Sequence, residues 1–280
     1  MVFLTSHILF QMDNPEIKIF SFHYQPGIVV PKDPIYIPVY SGKNSSDESC
    51  EIIGDDTGEN ISSKNKYFSE FTGIYWVWKN QQADIIGSCH YRRFFTNKKE
   101  PISYQIKRLF YYPVRLYIKR LGLIYTNNVS LFEKYILNTS EILEILESYD
   151  AILPQRREFR YSVKEHYRRY HDLRDLELIT AIFQDKCPEY LSAFETVMSG
   201  NRLYANNMFI LKQKDYNRFM EWWFAMLFEF EKRINKADYQ GYLQRIMGFI
   251  AERLLTIWVY HQNLKEKELQ VIYFKNLKYC

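Results

Sequence analysis

The residues best suited to chemistry stand where a short apolar run, Ile85–Cys89, ends abruptly in His90-Tyr-Arg-Arg93. Such a run is typical of a buried strand, and in open α/β sheets ligands bind beside the carboxyl ends of the strands. Burying an unpaired guanidinium group is costly, whereas a phosphate or carboxylate can accept two parallel hydrogen bonds from it. We therefore predict that His90, Arg92 and Arg93 bind an anionic group. The alternative is a surface turn with solvated arginines.

A polar loop over residues 54–62 is the second candidate, because it holds two glycines, acidic residues and an asparagine before a helix. Glycine lets backbone N–H groups approach a ligand closely, and Asp55 and Asp56 can accept hydrogen bonds from the hydroxyls of a sugar or ribose. Asn60 can both donate and accept. An ordinary Gly/Asp turn has the same composition, so both interpretations stay open.

Two further segments carry groups that suit a hydroxyl-rich or anionic ligand. His166 lies in a basic stretch together with His171, but histidines five residues apart share a helical face too poorly to favour a metal site. Asn206 and Asn207 stand at the entrance of the apolar run 208–211, where amide groups can bond hydroxyls. For the basic stretch, a solvated helix is the alternative.

An acid and a base, Glu252 and Arg253, are embedded in the apolar helical pattern of residues 248–255. The two either form a structural ion pair at the helix surface or include a carboxyl group with a raised pKa. A carboxylate of that kind can act as a general base. We predict Glu252 as the candidate general base.

The elements that must position these groups alternate between strand and helix patterns. Apolar residues at i, i+3, i+4 and i+7, as from Phe71 to Trp78, predict helices, and short apolar or alternating runs predict strands. The predicted strands are 17–23, 35–40, 85–90, 151–154, 204–211 and 268–274, and the predicted helices are 68–80, 140–148, 172–184, 190–198, 215–234 and 241–260. This alternation indicates an α/β fold with a mostly parallel central sheet flanked by helices, in a single domain over residues 1–280.

The net charge of +4 is unevenly distributed, because residues 98–120 carry seven Lys and Arg against one Glu. From Lys107 to Tyr125 the cations are interleaved with aromatic and aliphatic side chains. That mixture suits an anionic membrane surface, where aromatic rings lie at the level of the headgroups. We predict a basic, aromatic, helical insertion over residues 98–126 that lies close to a membrane. A nucleic-acid contact or a solvated helix hairpin would have a similar composition.

Composition excludes several classes of protein. With 47% hydrophobic and 18% aromatic residues, the chain can fill a core and is not a disordered protein. Its four cysteines lack the spacing of a disulfide framework or a zinc site, which favours a reducing, cytoplasmic environment. We see neither a signal peptide nor an apolar run long enough to span a membrane, so we expect a soluble or peripheral protein.

Taken together, the motifs resemble a family of bacterial glycosyltransferases from capsular and O-antigen polysaccharide clusters, long labelled a domain of unknown function. The resemblance extends over residues 17–275 and rests on segments in a fixed order. These are Asp55–Ser62, Tyr75–Asn80, His90–Phe95, His166-Tyr167, Asn207–Ile210 and Gly248–Leu255, the last followed by Trp258. The resemblance implies the GT-A nucleotide-sugar fold, and some members are described as galactofuranosyltransferases.

The resemblance also implies transfer of a sugar, galactofuranose in some members, from a nucleotide-diphosphate donor to a lipid-linked glycan in capsule, O-antigen or exopolysaccharide biosynthesis. We favour a UDP-sugar as donor, no nucleic-acid partner, and a peripheral location on the inner, cytoplasmic face of the bacterial plasma membrane. The implied donor-binding residues are Asp55, Asp56, Asn60, His90, Arg92 and Arg93, the acceptor-binding residues are His166, Asn206 and Asn207, and the general base is Glu252. The rival interpretation is a non-catalytic protein that binds glycans or nucleic acid.

One difference from the usual GT-A pattern concerns the metal. GT-A enzymes usually carry Asp-x-Asp after a central strand, where it holds a divalent metal ion on the diphosphate, and this chain contains no Asp-x-Asp. His90-Tyr-Arg-Arg93 stands at the place where that motif is expected. We therefore predict that these side chains neutralise the departing diphosphate without a metal cofactor. A divalent metal ion on Asp55 and Asp56 is the alternative.

Overall fold

A mixed, nine-stranded sheet forms the centre of the fold in the part of the chain that the structure describes. The computed structural model describes residues 15–25, 30–45, 52–111, 122–275 and 277, except for the side chains of 107–111. The strands are β1 (Ile17–His23), β2 (Tyr36–Tyr40), β3 (Ile53–Gly54), β4 (Ile85–His90), β5 (Arg93–Thr96), β6 (Leu123–Thr126), β7 (Ala151–Pro154), β8 (Arg157–Glu158), β9 (Arg202–Leu203), β10 (Phe209–Lys212) and β11 (Glu266–Phe274). The strands β8 and β9 form a separate antiparallel pair.

Ten α-helices surround the sheet in the same described ranges. They are α1 (Asn65–Phe68), α2 (Phe71–Asn80), α3 (Ile102–Tyr111), α4 (Val129–Phe132), α5 (Thr139–Ser148), α6 (Val163–Tyr170), α7 (Arg174–Lys186), α8 (Leu191–Ser199), α9 (Gln213–Arg233) and α10 (Ile246–Gln262). The predicted helices are all present with small shifts at their ends. The alternation of strand and helix, and hence the α/β class, is confirmed.

Strand direction divides the sheet into two halves. The strands β3, β2, β1 and β4 lie side by side and run parallel, as predicted. Next to β4, however, β10 runs antiparallel to both β4 and β7. The last strand, β11, is parallel to β7 and β6 but antiparallel to β5. The sheet is therefore mixed rather than mostly parallel, because an apolar run predicts a strand without specifying its direction.

Each face of the sheet covers its own hydrophobic core, as the alternation of side chains along β1 shows. Ile17 and Ile19 belong to one core, which includes helix α5. Phe20 and Phe22 point to the other, which includes α2, α9 and α10. In that second core the predicted face of α2 packs on α9, where Trp78 stacks on Phe224 with ring centres 5.6 Å apart.

Helix α2 begins at the edge where β1 to β4 end, which we call the carboxyl edge. This position depends on Gly73, because a Cβ atom there would lie 2.6 Å from Phe22 Cδ1 and 2.4 Å from Ser41 Oγ. Only glycine therefore lets the helix approach the ends of β1 and β2 so closely. The amino end of α2 is thus fixed beside the ligand edge expected of a parallel sheet.

The predicted insertion over residues 98–126 is only partly described. Residues 102–111 form helix α3, in agreement with its helical character, whereas Leu123–Thr126 form β6 and pair with β11 within the sheet. Residues 112–121, and with them much of the predicted membrane-proximal surface, lie outside the described ranges. In those ranges, none of the helices is both long enough and apolar enough to cross a bilayer.

Candidate functional site

Basic side chains converge on the carboxyl edge, beginning with the turn between β4 and β5. Strand β4 ends at His90, which pairs directly with Arg93 of β5, so Tyr91 and Arg92 form a two-residue hairpin turn. The carboxyl end of β4 was predicted, but the hairpin was not, because Tyr-Arg lacks the Gly, Asn or Asp typical of such turns. The hairpin holds His90, Arg92 and Arg93 within one short segment.

A tyrosine from the last strand orders the two arginines. The guanidinium carbons of Arg92 and Arg93 lie 5.1 and 5.0 Å from the centre of the Tyr273 ring. Tyr273 pairs with Arg93 across the β5–β11 ladder, so its position is fixed by the sheet. Cation–π contacts of this kind stabilise the guanidinium groups through their planar faces.

Two more arginines reach the same place from distant parts of the chain. Burial lowers the pKa of Arg93, and the positive charge of Arg157, just beyond β7, lowers it further, whereas Tyr273 and Glu70 oppose this shift. Arg245, immediately before α10, forms an ion pair of 3.5 Å with Glu70 at the start of α2. We call His90, Arg92, Arg93, Arg157 and Arg245 the arginine cluster.

The histidine of the arginine cluster is neutral at physiological pH. Burial holds the pKa of His90 well below its ordinary value, and the positive charges of Arg93, Arg92 and Arg245 lower it further. A neutral imidazole has one donor and one acceptor nitrogen. The positive charge of the arginine cluster therefore belongs to its arginines, with His90 as a hydrogen-bonding group among them.

Several nitrogen atoms of the arginine cluster are buried without satisfaction. Arg92 Nε, Arg157 Nε and His90 Nδ1 are inaccessible to solvent, and none has a hydrogen-bond partner among the described residues. An unsatisfied buried polar atom costs about 1–3 kcal/mol, and such atoms are rare in folded proteins. Their concentration at one place is what a site for an anionic ligand requires.

The end of β1 adds polar aromatic groups to this edge. His23 is buried beside Tyr91, with ring centres 5.6 Å apart, and burial lowers the pKa of His23 to about 4. The hydroxyls of Tyr24 and Tyr91 are 3.0 Å apart. Tyr24 is half exposed and can therefore contact a bound molecule.

The candidate base lies next to the arginine cluster and is connected to it through Asn206. Glu252 accepts a hydrogen bond of 2.8 Å from the backbone N–H of Asn206. The side-chain oxygen of Asn206 in turn accepts a hydrogen bond of 3.3 Å from Arg157. One residue at the entrance of β10 therefore sets the distance between the carboxylate and the arginine cluster.

The two asparagines adopt an unusual backbone conformation. Asn206 and Asn207 have φ values of +81° and +51°, in the left-handed region that asparagine tolerates better than most residues. This turn interrupts the predicted strand 204–211 near its start, so that β10 begins only at Phe209. Asn207 is buried, and its side-chain oxygen has no hydrogen-bond partner within the described ranges.

His166 completes the predicted acceptor group of His166, Asn206, Asn207 and Glu252. Its ring stacks on Phe159 with ring centres 3.9 Å apart. Burial lowers the pKa of His166 to about 4, the charges of Arg253 and Arg157 lower it further, and Glu252 opposes the shift. The structure thus brings His166, Glu252 and Arg157 within range of one another.

Arg253 supports the carboxylate from within α10. The side chain is buried and donates hydrogen bonds from Nη1 to the carbonyl oxygen of Phe249, at 2.7 Å, and to Glu252, at 3.2 Å. Its guanidinium carbon lies 5.0 Å from the centre of the Tyr167 ring. Glu252 and Arg253 are therefore in contact as an ion pair. The Glu252 side chain nevertheless stays partly accessible to solvent.

The predicted donor-binding loop, 54–62, is organised differently. Asp55 is completely buried, and its carboxylate accepts hydrogen bonds from the N–H groups of Gly42 and Lys43 and from the hydroxyl of Ser62, at 2.8, 3.0 and 2.6 Å. These bonds tie the loop after β2 to the loop after β3. Asp55 is thus a structural residue in this geometry and is poorly placed to bind a ligand.

The remainder of the loop runs away from the arginine cluster. Its tip is bonded to Asn80, which accepts from the N–H of Glu59 and donates to the Glu59 carbonyl. Asn80 ends α2 and lies about 14 Å along the helix from its amino end. Asn60 bonds within the loop to Gly58 and Ser62, and Asp56 is exposed. The structure therefore does not bring Asn60 together with His90.

The fit of a divalent metal to Asp55 and Asp56 can be judged from the same contacts. Three of the roughly four lone-pair sites of the Asp55 carboxylate already accept hydrogen bonds from the protein, whereas a metal ligand needs free lone pairs. Across the described ranges, no three His, Cys, Asp or Glu side chains are grouped so as to hold a metal ion. These residues do not fit a metal cofactor, and we derive no step through one.

Sequence reasoning missed Arg157, Arg245 and Tyr273. Arg157 follows the predicted strand 151–154 in the same way that Arg92 and Arg93 follow β4, so the same rule applied a second time would have found it. Arg245 and Tyr273 join the arginine cluster only through tertiary contacts. No local pattern marks either of them.

Comparison with known proteins relates this arrangement to a family. Among solved structures, the apo structure of WbbM, described as a bifunctional glycosyltransferase, is 30% identical in sequence and matches with a TM-score of 0.81. The match covers 94% of this chain and 46% of the WbbM chain, so the present chain spans less than half of that protein. No curated protein sequence matches. The model of a family described as a domain of unknown function, DUF4422, matches residues 18–263. The chain has the α/β fold of a glycosyltransferase of known structure and belongs to the DUF4422 family.

Proposed function

We propose that this protein is a glycosyltransferase that uses a nucleotide-diphosphate sugar and binds the diphosphate through its arginine cluster. The observation that carries the proposal is the convergence of four arginines and a neutral histidine on the carboxyl edge, with buried nitrogen atoms that have no partner in the described structure. The likeness to WbbM over nearly the whole chain supports the same conclusion.

The charge of the arginine cluster matches the leaving group of such a reaction. When the bond between the sugar and the diphosphate breaks, negative charge develops on the diphosphate oxygens. Arginines fixed in advance around that position stabilise the developing charge without reorganisation, and stabilisation of this kind supplies much of the rate enhancement of many enzymes. Glu70 is the acid paired with Arg245 in the cluster, so the net charge there stays strongly positive.

The proposed acceptor side supplies the proton acceptor. In the reaction we propose, a hydroxyl oxygen of the acceptor attacks the anomeric carbon, and the electron pair of the broken C–O bond passes to the diphosphate. The hydroxyl proton passes to the Glu252 carboxylate, which Asn206 and Arg253 hold in place. This is an inverting reaction. His166 and Asn207 would orient the acceptor, since each has an unpartnered buried atom in the described structure.

The finer parts of the proposal follow from the family resemblance. We infer a UDP-sugar donor, galactofuranose among the candidate sugars, and a lipid-linked saccharide acceptor of capsule, O-antigen or exopolysaccharide biosynthesis. A peripheral position on the cytoplasmic face of the membrane, mediated by the basic residues between Lys98 and Arg120, would bring the site to such an acceptor.

Calorimetric titration with a panel of nucleotides tests the proposal. The panel contains UDP, UDP-galactopyranose, UDP-galactofuranose and GDP- and dTDP-sugars, each with and without EDTA. We expect tight binding of one nucleotide family that survives EDTA. Binding that EDTA abolishes would assign the diphosphate to a metal ion. Absence of binding across the panel would favour the non-catalytic interpretation.

A further inference from the structure

A cavity with both polar and apolar walls lies beside the predicted acceptor group, between α7, the end of α9 and the start of α10. It has a volume of about 230 Å³, and its lining includes His171, Asp175, Leu178, Tyr239, Leu243 and Ile246. None of the five residues of the arginine cluster lines it. The cavity is therefore distinct from the proposed diphosphate site.

Direct contacts connect this cavity to the candidate base. The ring of His171 lies 4.3 Å from the ring of Phe249, which precedes Glu252 by one turn of α10. The rings of His171 and Tyr167 are 4.6 Å apart, and Arg253 packs against Tyr167. The side chains of His171, Phe249 and Tyr167 thus form a continuous contact between the cavity and the helical turn that carries Glu252.

The cavity wall carries groups that recognise hydroxyls. Asp175 is buried, and its carboxylate accepts hydrogen bonds from the hydroxyls of Tyr167, at 2.7 Å, and Tyr239. A carboxylate has about four lone-pair sites, so capacity for further donors is left. His171 Nδ1 is buried, with no hydrogen-bond partner among the described residues. Burial lowers the pKa of His171 to about 4, which makes it a neutral donor or acceptor.

The arginines that line the cavity are each paired with a carboxylate, and the lining holds more carboxylates than arginines. Arg174 pairs with Asp172 at 2.6 Å, and Arg233 pairs with Asp185 and Glu229 at 2.6 and 2.7 Å. Both arginines of the lining are thus engaged with carboxylates, in contrast to Arg92, Arg93 and Arg157 of the arginine cluster. The cavity suits a neutral, hydroxyl-rich ligand better than a phosphate.

An exposed aromatic ring stands next to the cavity. Tyr242 is 67% exposed, and its ring lies 5.2 Å from that of Phe249, which also contacts His171. Single exposed aromatic side chains are common on protein surfaces, and Tyr242 is distinguished by its position beside the cavity. Its face can pack against the C–H face of a sugar ring while the ring hydroxyls enter the cavity.

We propose that this cavity is a subsite for a neutral sugar unit of the acceptor glycan, with His171, Asp175 and Tyr239 bonding its hydroxyls and Tyr242 packing on its ring. The proposal rests on the proposed function, because it extends the acceptor site beyond the unit that reacts at Glu252. The volume of the cavity suits one sugar unit rather than a long glycan.

Saturation-transfer difference NMR on the full chain tests the subsite. The probes are the methyl glycosides of galactose, glucose, mannose, rhamnose and N-acetylglucosamine. We expect a signal from at least one glycoside that excess UDP does not displace. Tyr242→Ala should lower the affinity for that glycoside by about two- to tenfold, which is the contribution of one aromatic contact. His171→Ala should lower the same affinity as well.

Tyr260→Ala is the matched control, because Tyr260 is similarly exposed at the far end of α10 and does not line the cavity. Equal signals from the wild type and Tyr242→Ala, no signal from any glycoside, or displacement by UDP would each overturn the subsite. Calorimetric binding of UDP, measured in parallel, should be the same in Tyr242→Ala and the wild type. If the wild type did not bind UDP at all, the proposed function would be overturned. A glycoside signal in that case would still support sugar binding in the cavity.

Discussion

The donor-binding prediction named three residues of the arginine cluster, His90, Arg92 and Arg93, and three of the loop 54–62. The structure uses the polar groups of these two regions in opposite ways. In the loop, the Asp55 carboxylate satisfies donors from three other residues, and Asn60 bonds to its own neighbours. In the arginine cluster, Arg92 and Arg157 keep a buried Nε without a partner among the described residues. The polar groups of the loop thus satisfy one another, whereas part of the arginine cluster is not satisfied by the described residues.

Whether protein atoms satisfy a buried polar group therefore distinguishes structural from functional residues better than residue type does. Burial of a charged or polar group is tolerated when protein atoms satisfy it, and then the group stabilises the fold. A buried donor that no protein atom satisfies costs free energy in the unliganded state, and a bound anion can recover that cost. The following variants test whether the two regions differ in this way.

The largest effect is expected at the acceptor end of the carboxyl edge. Glu252→Gln should lower kcat by roughly 10²–10⁴-fold, because the amide cannot take the acceptor proton. Nucleotide affinity should stay unchanged, since the arginine cluster is intact. Steady-state turnover and calorimetry measure the two quantities, with Glu177→Gln on the exposed side of α7 as control. If Glu252→Gln turned over at the wild-type rate, Glu252 would not be the general base.

The second effect is on stability and concerns the loop. Asp55→Ala should lower the free energy of unfolding by about 3 kcal/mol, because three donors lose their acceptor. Asp56→Ala, at an exposed position next to it, should change it by less than about 0.5 kcal/mol. Urea unfolding measures both. If Asp55→Ala kept its stability but lost nucleotide binding, the loop would be a ligand site after all.

A smaller effect is expected where the two ends of the site meet. Asn206→Gly keeps the positive φ and the N–H that Glu252 accepts, but it removes the side-chain oxygen that orients Arg157. The loss of one such hydrogen bond should weaken nucleotide binding by about three- to tenfold, with little change in stability. Calorimetry of Asn206→Gly and Asn206→Asp checks this, since the aspartate retains the acceptor. If both variants bound nucleotide with wild-type affinity, Asn206 would not position Arg157 for nucleotide binding.

The smallest effect on nucleotide binding is expected from pH, which acts on stability instead. His23, His166 and His171 have pKa values lowered to about 4, chiefly by burial, and that of His90 is also well below its usual range. Because their pKa values are depressed, the unfolded chain binds more protons below about pH 6.5. Stability should therefore be fully present above that pH and should fall as pH decreases toward about 4.

Affinity for a nucleotide sugar, whose diphosphate has no proton that titrates near pH 6, should instead be constant between about pH 6 and 8, because the positive charge belongs to arginines. Urea unfolding and calorimetry over these ranges measure the two quantities. An affinity that falls as pH rises through about 6.5 would mean that a protonated histidine carries part of the charge.

Much of the fold was predictable from the sequence because local periodicity decides it. The face of α2 through Phe71 and Trp78 and the buried strand ending at His90 both follow from the spacing of apolar residues. Strand direction was not predictable, and β10 runs opposite to its neighbours. Arg245 and Tyr273 enter the site through contacts between distant elements, which no single segment encodes.

The central claim is that the arginine cluster, and not the loop 54–62, binds the donor diphosphate. Calorimetric titration of UDP into Arg93→Ala, Arg157→Ala and the double variant Asp56→Ala/Asn60→Ala tests it most directly, with Arg174→Ala as an exposed arginine control. We expect each of the first two to lose about 10–100-fold in affinity, the value of hydrogen bonds from a charged donor. The double variant and the control should bind as the wild type does. Wild-type affinity in both arginine variants, with loss of binding in the double variant, would contradict the account.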